Sequence, residues 1–117
     1  MVRTIKGAEK KLDELWSDKI RKRNGGRCEV CQKEAFHPHH FFGRSNKAVR
    51  WELRNGVLLC HQHHTGQPSA HHDRAWFTDW FKQNRLEDYA FLLIEKNKVN
   101  KKTLIDYQKM IDELVKI

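Results

Sequence analysis

Four residues in this sequence have the types and spacing of metal ligands. Cys28 and Cys31 form a C-x2-C pair, and Cys60 and His63 repeat that spacing further along the chain. Zinc takes four tetrahedral nitrogen and sulfur ligands, and two intervening residues let both members of a pair reach one ion. His61 is the alternative fourth ligand, although one residue after Cys60 the turn geometry is poorer. Two such pairs clamp the segment between them, and ion binding adds folding free energy to a small core. Three cysteines are an odd number, which argues against a disulfide framework. In a reducing compartment thiols so placed bind metal more often than each other.

A second set of residues is left over. All eight histidines fall between positions 37 and 72, and His63 is the only one the zinc pairs require. His39 and His40 are adjacent, and on an extended segment neighbouring side chains point to opposite faces. One can then coordinate a metal while the other meets a substrate. Asn55 follows His40, and His64 comes directly after His63, so the zinc pair fixes where His64 lies. His37 and His61 read as surface residues. Asn55 also precedes Gly56, an ordinary turn pair.

These residues need elements to position them. Residues 8–23 place Ala8, Leu12, Leu15, Trp16 and Ile20 on one face, the pattern of an amphipathic helix, and Asn24-Gly25-Gly26 ends it. Residues 27–36 have the compactness of a metal knuckle. AFHPHHFF reads as extended, because Pro38 disfavours helix before it and aromatics flank it. A loop follows from Gly43 to about Asn55, with VRWEL expected to be extended within it. GVLLC is short, apolar and strand-prone. HQHHT should be helical until Gly66 and Pro68 interrupt it. Three helices are expected in the tail, over residues 74–84, 86–97 and about 101–116. In the first of these, Trp76, Phe77, Trp80 and Phe81 read as packing residues. The expected fold class is α+β in one domain spanning 1–117: an N-terminal helix over 1–26, a zinc-bound core over 27–72 and a helical tail over 73–117.

The chain has 23 Lys and Arg against 15 Asp and Glu, a formal charge of +8. The excess lies in the first two thirds, and a basic field of this kind favours a polyanion, most often nucleic acid. No run approaches the ~18 apolar residues of a membrane span. The N-terminus has no apolar core of the signal-peptide kind, so a cytoplasmic location is expected.

The pattern C-x2-C…HH…N…LC-x2-H-H resembles the signature of the HNH endonucleases. The spacing of His40, Asn55 and His64 is similar to that in the nuclease domains of DNase colicins, which share the HH opening but lack the zinc pairs. The longer phrase HHFFGRSNKAVRWELRNGVLLCHQHHT…SAHH, with its helical tail, resembles small phage and prophage HNH proteins associated with recombination. The resemblance covers about residues 27–115, and its specific motifs lie in 28–72. Two residues depart from the commoner pattern: His39 stands where many HNH proteins have Asp, and His63 stands where Cys is commoner.

The resemblance implies a zinc-stabilised ββα-metal core and metal-dependent cleavage of DNA phosphodiester bonds, by nicking or cutting. His40 would be the general base, since a neutral imidazole titrates near the working pH. Asn55 would orient that imidazole through a hydrogen bond. His39 and His64 would hold one divalent cation against the scissile phosphate. His71 is the candidate third ligand and His72 its alternative, because Pro68 occupies the position one helical turn after His64. Mg2+ or Mn2+ is the expected catalytic ion, with Ni2+ or Zn2+ as further candidates. Arg44, Lys47, Arg50 and Arg54, in the loop between the two halves of the motif, are candidate phosphate contacts. The expected partner is DNA, with a second copy of the chain or other recombination proteins as further candidates. A zinc-stabilised DNA-binding module without catalysis is the competing class, but it leaves His39, His40, Asn55 and His64 without a task.

Overall fold

A computed structural model describes all 117 residues as an α+β fold of five helices and one two-stranded sheet. Helix α1 (Ile5–Arg21) starts at Thr4, whose side chain accepts from the Gly7 amide at 2.9 Å, supplying one of the donors a helix start leaves unpaired. Its buried face is Ala8, Leu12, Trp16 and Ile20, the stripe read from sequence, and the helix begins three residues before the expected 8. Asn24, Gly25 and Gly26 have φ of 53°, 64° and 75°, a left-handed run that glycine adopts without steric cost. This run turns the chain into the knuckle, where Arg27 and Glu34 form a single bridge.

Strand β1 (His37–His40) pairs antiparallel with β2 (Gly56–Leu59), with His39 opposite Val57 and His40 opposite Gly56. All of β2 is buried. Gly56 has a specific reason to lack a side chain. A Cβ there would lie 2.3 Å from Ile20 Cδ1 and 2.9 Å from the Trp16 ring, so the glycine admits α1 rather than making a turn.

The loop between the strands is not extended over VRWEL, as expected from sequence, but folded into consecutive turns: the amides of Val49, Glu52 and Asn55 donate to the carbonyls three residues earlier. Asp13 of α1 explains this local override of strand propensity. Its carboxylate accepts from Arg50 Nε and Nη2 at 3.1 and 2.7 Å, from Trp51 Nε1 at 2.8 Å and from Arg44 at 3.1 Å. Two consecutive side chains reach the same carboxylate only from a turn, because a strand would send them to opposite faces.

Helix α2 (His61–Thr65) follows β2 directly and stops before Gly66. Helices α3 (Arg74–Asn84) and α4 (Leu86–Glu95) are joined by Arg85 alone and contact one another, and α5 (Leu104–Lys116) begins at a Thr103–Asp106 capping box and packs along α1. The last two helices are shorter than the expected 86–97 and 101–116. Arg85, between α3 and α4, donates to the Gly56 and Arg54 carbonyls at 2.6 and 2.8 Å. Arg23 reaches Gly56 and Leu53 from the other side. Glu29 balances the charge of both. One buried cluster runs from Ala8 to Leu114, so the N-terminal helix and the tail close on one another around the sheet. No helix is long and apolar enough to cross a membrane.

Gly56→Ala should destabilise the protein by about 1–3 kcal/mol, the usual cost of overpacking a close contact. Urea denaturation reads this directly. An unchanged midpoint would show that α1 does not press on β2 as described.

Candidate metal centres

The knuckle, the end of β2 and the start of α2 bring Cys28, Cys31, Cys60 and His63 together, with all ligand atoms within 4.8 Å of one another. The separations fit one tetrahedral ion. Two sulfurs bound to zinc at ~2.3 Å lie ~3.8 Å apart, and a sulfur and a nitrogen ~3.6 Å apart. Here Cys31 and Cys60 Sγ are 3.7 Å apart, and His63 Nδ1 lies 3.3 Å from Cys60 Sγ and 3.8 Å from Cys28 Sγ. A disulfide needs ~2.05 Å, so the thiols are free. These four residues could hold a zinc ion. His63 is the buried fourth member, while His61 is exposed and stands outside the cluster.

The next residue begins a second cluster. His39, His64 and His71 also offer ligand nitrogens within 4.8 Å of one another, and the Nε2 atoms of His64 and His71 are 3.0 Å apart. His39 comes from β1 and His64 from α2. His71 arrives because the chain doubles back after Gly66: the amides of Ala70 and His71 donate to the carbonyls of His63 and His64 at 2.8 and 3.2 Å. A Cβ on Gly66 would meet the Gln62 carbonyl oxygen at 2.7 Å, so the return is tight. His72 is exposed and lies outside the cluster, its amide held by Ser69 Oγ at 3.1 Å. His37, expected at the surface, is half-buried and stacks on His64 with ring centroids 4.8 Å apart.

His40 follows His39 on β1 and lies outside the trio, lining the same cleft as His39 and His71. Its ring stacks on Trp16 at 3.9 Å, tilted by 7°, and its Nε2 lies 2.9 Å from the Arg50 carbonyl oxygen. A carbonyl only accepts, so Nε2 carries the proton and Nδ1 keeps its lone pair. Asn55 does not orient this imidazole, contrary to expectation. It is fully buried and pins the chain leaving β1: its Oδ1 accepts from the Phe42 amide at 2.8 Å and its Nδ2 donates to the Phe42 carbonyl at 2.9 Å. The Arg50 carbonyl takes the orienting role.

Burial pushes His39 down to about 3, reinforced by His71, His64, His40 and Arg74. Burial likewise lowers His40 to about 4, with Arg44 adding to the effect and the Arg50 carbonyl opposing it. His64 falls to about 4 through burial and its histidine neighbours. All three are therefore neutral at pH 7, the form that binds metal or accepts a proton.

His39, His40 and His71 line an open cleft of about 390 Å³, together with Phe77, Tyr89 and Lys96. The four loop cations are differently placed. Arg44 and Arg50 pair with Asp13, Lys47 with Glu9 and Arg54 with Asp88, at 2.7 to 3.1 Å. Sequence reasoning missed the cations that do line the cleft, Arg74 and Lys96, because they stand among ordinary helix-surface residues. It also read Trp16 as core alone and had no signal for Asp13. The chain matches no protein-family model, no curated protein and no solved structure, so geometry carries the functional reading.

Two outcomes are expected. Elemental analysis should find one firmly held zinc per chain at Cys28, Cys31, Cys60 and His63, and Cys60→Ser should unfold or aggregate the protein; a well-folded chain without zinc would contradict this. The second concerns pH. Imidazoles whose folded pKa is depressed bind fewer protons than in the unfolded chain, so their stability contribution is complete above ~6.5 and is lost as pH falls toward 4. A denaturation midpoint that stays flat from pH 7 to 4 would exclude it.

Proposed function

We propose that this chain is a metal-dependent DNA endonuclease built on an HNH-type ββα-metal core. The observation that carries the reading is the pairing of two ligand clusters with different surroundings on one strand–strand–helix unit. Cys28, Cys60 and His63 are buried, as befits a structural ion. His39, His64 and His71 are half-buried to exposed beside a cleft, which leaves room for substrate and water. A purely structural module has no use for the second cluster, nor for an imidazole held with a free Nδ1 next to it.

In this reading His40 Nδ1 takes the proton from the attacking water as its oxygen bonds to phosphorus and the bond to the 3′ oxygen breaks. The Arg50 carbonyl and the Trp16 face hold the ring, and Asp13 holds Arg50. Asn55 fixes the backbone at Phe42, where the chain leaves β1 for the cleft. His39, His64 and His71 would hold a divalent ion, which would supply charge stabilisation for the phosphoryl transfer. Three imidazole nitrogens suit Zn2+ or Ni2+ better than Mg2+ or Mn2+, which favour oxygen ligands. This donor set reverses the order of metals expected from sequence.

The test uses supercoiled plasmid with each ion in turn. His40→Ala should cleave ~10²–10⁴-fold more slowly while keeping its metal affinity. His64→Ala should bind the ion more weakly and regain part of its activity at excess metal. Cleavage by His40→Ala at the parental rate would refute the mechanism. DNA binding without cleavage by the parent under any ion would leave a non-catalytic module.

A further inference from the structure

The cations expected to meet phosphate are already occupied. Arg44, Lys47, Arg50 and Arg54 each have a carboxylate partner within 3.1 Å. A paired cation has lost part of the counterion release that drives binding to a polyanion, because its own carboxylate already neutralises it. Arg74 and Lys96 have no such partner among the ion pairs of the chain, and both line the cleft that holds His39, His40 and His71. Arg74 opens α3, and Lys96 directly follows α4. The α3–α4 pair thus supplies both cations to the cleft.

The same lining carries two unengaged hydroxyls. Thr78 and Tyr89 line the cleft, and neither hydroxyl has a hydrogen-bond partner within the chain. Lys96 is steadied by its position over the Phe42 ring, 5.4 Å from the centroid. Phe42 is in turn the residue pinned by Asn55. The cleft is thus lined by two unpaired cations, two hydroxyls without a partner in the chain, and His39, His40 and His71.

We propose that Arg74 and Lys96, with the hydroxyls of Thr78 and Tyr89, form the binding wall for the sugar–phosphate backbone of a nucleic-acid strand. The strand enters along the α3–α4 side of the cleft, not across the loop 43–54. The loop cations instead hold the turns that place the Arg50 carbonyl. This deepens the endonuclease reading above and rests on it for which strand is cut, but the binding itself is measurable without cleavage.

The experiment is fluorescence anisotropy with a labelled DNA oligonucleotide across a salt series, with zinc-replete protein and no added divalent ion. It compares the parent with Arg74→Gln, Lys96→Gln, their double variant, Arg44→Gln and Lys47→Gln. Each phosphate contact contributes a slope of about 0.9 in log affinity against log salt. The double variant should therefore flatten the slope by about 2 and weaken binding roughly tenfold or more at low salt. Arg44→Gln and Lys47→Gln should leave slope and affinity within about twofold, and circular dichroism should show every variant folded. The proposal is overturned if the loop variants flatten the slope and the cleft variants do not, or if no variant changes it. A parent that binds with this dependence but never nicks plasmid keeps the binding wall and discards the nuclease. A parent that binds no DNA discards both.

Discussion

A helix of five residues has no stability of its own, because nucleation alone costs more than so few hydrogen bonds return. Helix α2 is that short, and it carries a member of each histidine-containing cluster. At its first turn Cys28, Cys31, Cys60 and His63 converge, where a zinc ion would hold it. The same convergence fastens the knuckle to the end of β2, where the Glu29 amide donates to the Leu58 carbonyl at 2.9 Å and the Glu29 carboxylate accepts from the Leu58 amide at 2.6 Å. An ion held by these four residues would tie sheet, knuckle and α2 into one unit at a single point. A core this small has few other means to achieve that.

The second support comes from outside the motif. Helix α1 lies under the sheet at Gly56 and offers two polar or aromatic contacts one turn apart. Trp16 covers the His40 ring, with its own Nε1 donating to the Glu52 carbonyl at 2.8 Å. Asp13 gathers Arg44, Arg50 and Trp51. One helix face therefore fixes both the ring and the carbonyl that selects its tautomer. The positive loop is best understood as part of this support: its charges are spent on shape.

Much of this was legible beforehand. The x2 spacing of the cysteines, the stripe on α1 and the apolar run of β2 are local patterns with direct physical causes. His71 was legible only as one of two candidates, since the return of the chain after Pro68 depends on amide bonds to His63 and His64 that no residue type announces. Asn55 was found but given the wrong task, because the acceptor that orients His40 is a backbone carbonyl, and every residue has one. The VRWEL segment has good strand propensity and yields to a carboxylate thirty-odd positions earlier. Arg74 and Lys96 look like any helix-surface cations until the tail folds back beside β1. Long-range polar contacts leave the weakest trace in a sequence, and they decide most of this site.

His63 and His64 are consecutive, and the carbonyls of both receive the strand that brings His71. An ion bound at the first cluster would therefore select the backbone that the second one needs. Such coupling is reciprocal: whatever factor the first ion adds to the affinity for the second, the second adds to the first. Ions held at the two clusters would form a cooperative pair sharing one conformational cost, so a chain starved of zinc at the first would bind an ion more weakly at the second, with no residue of the cleft altered.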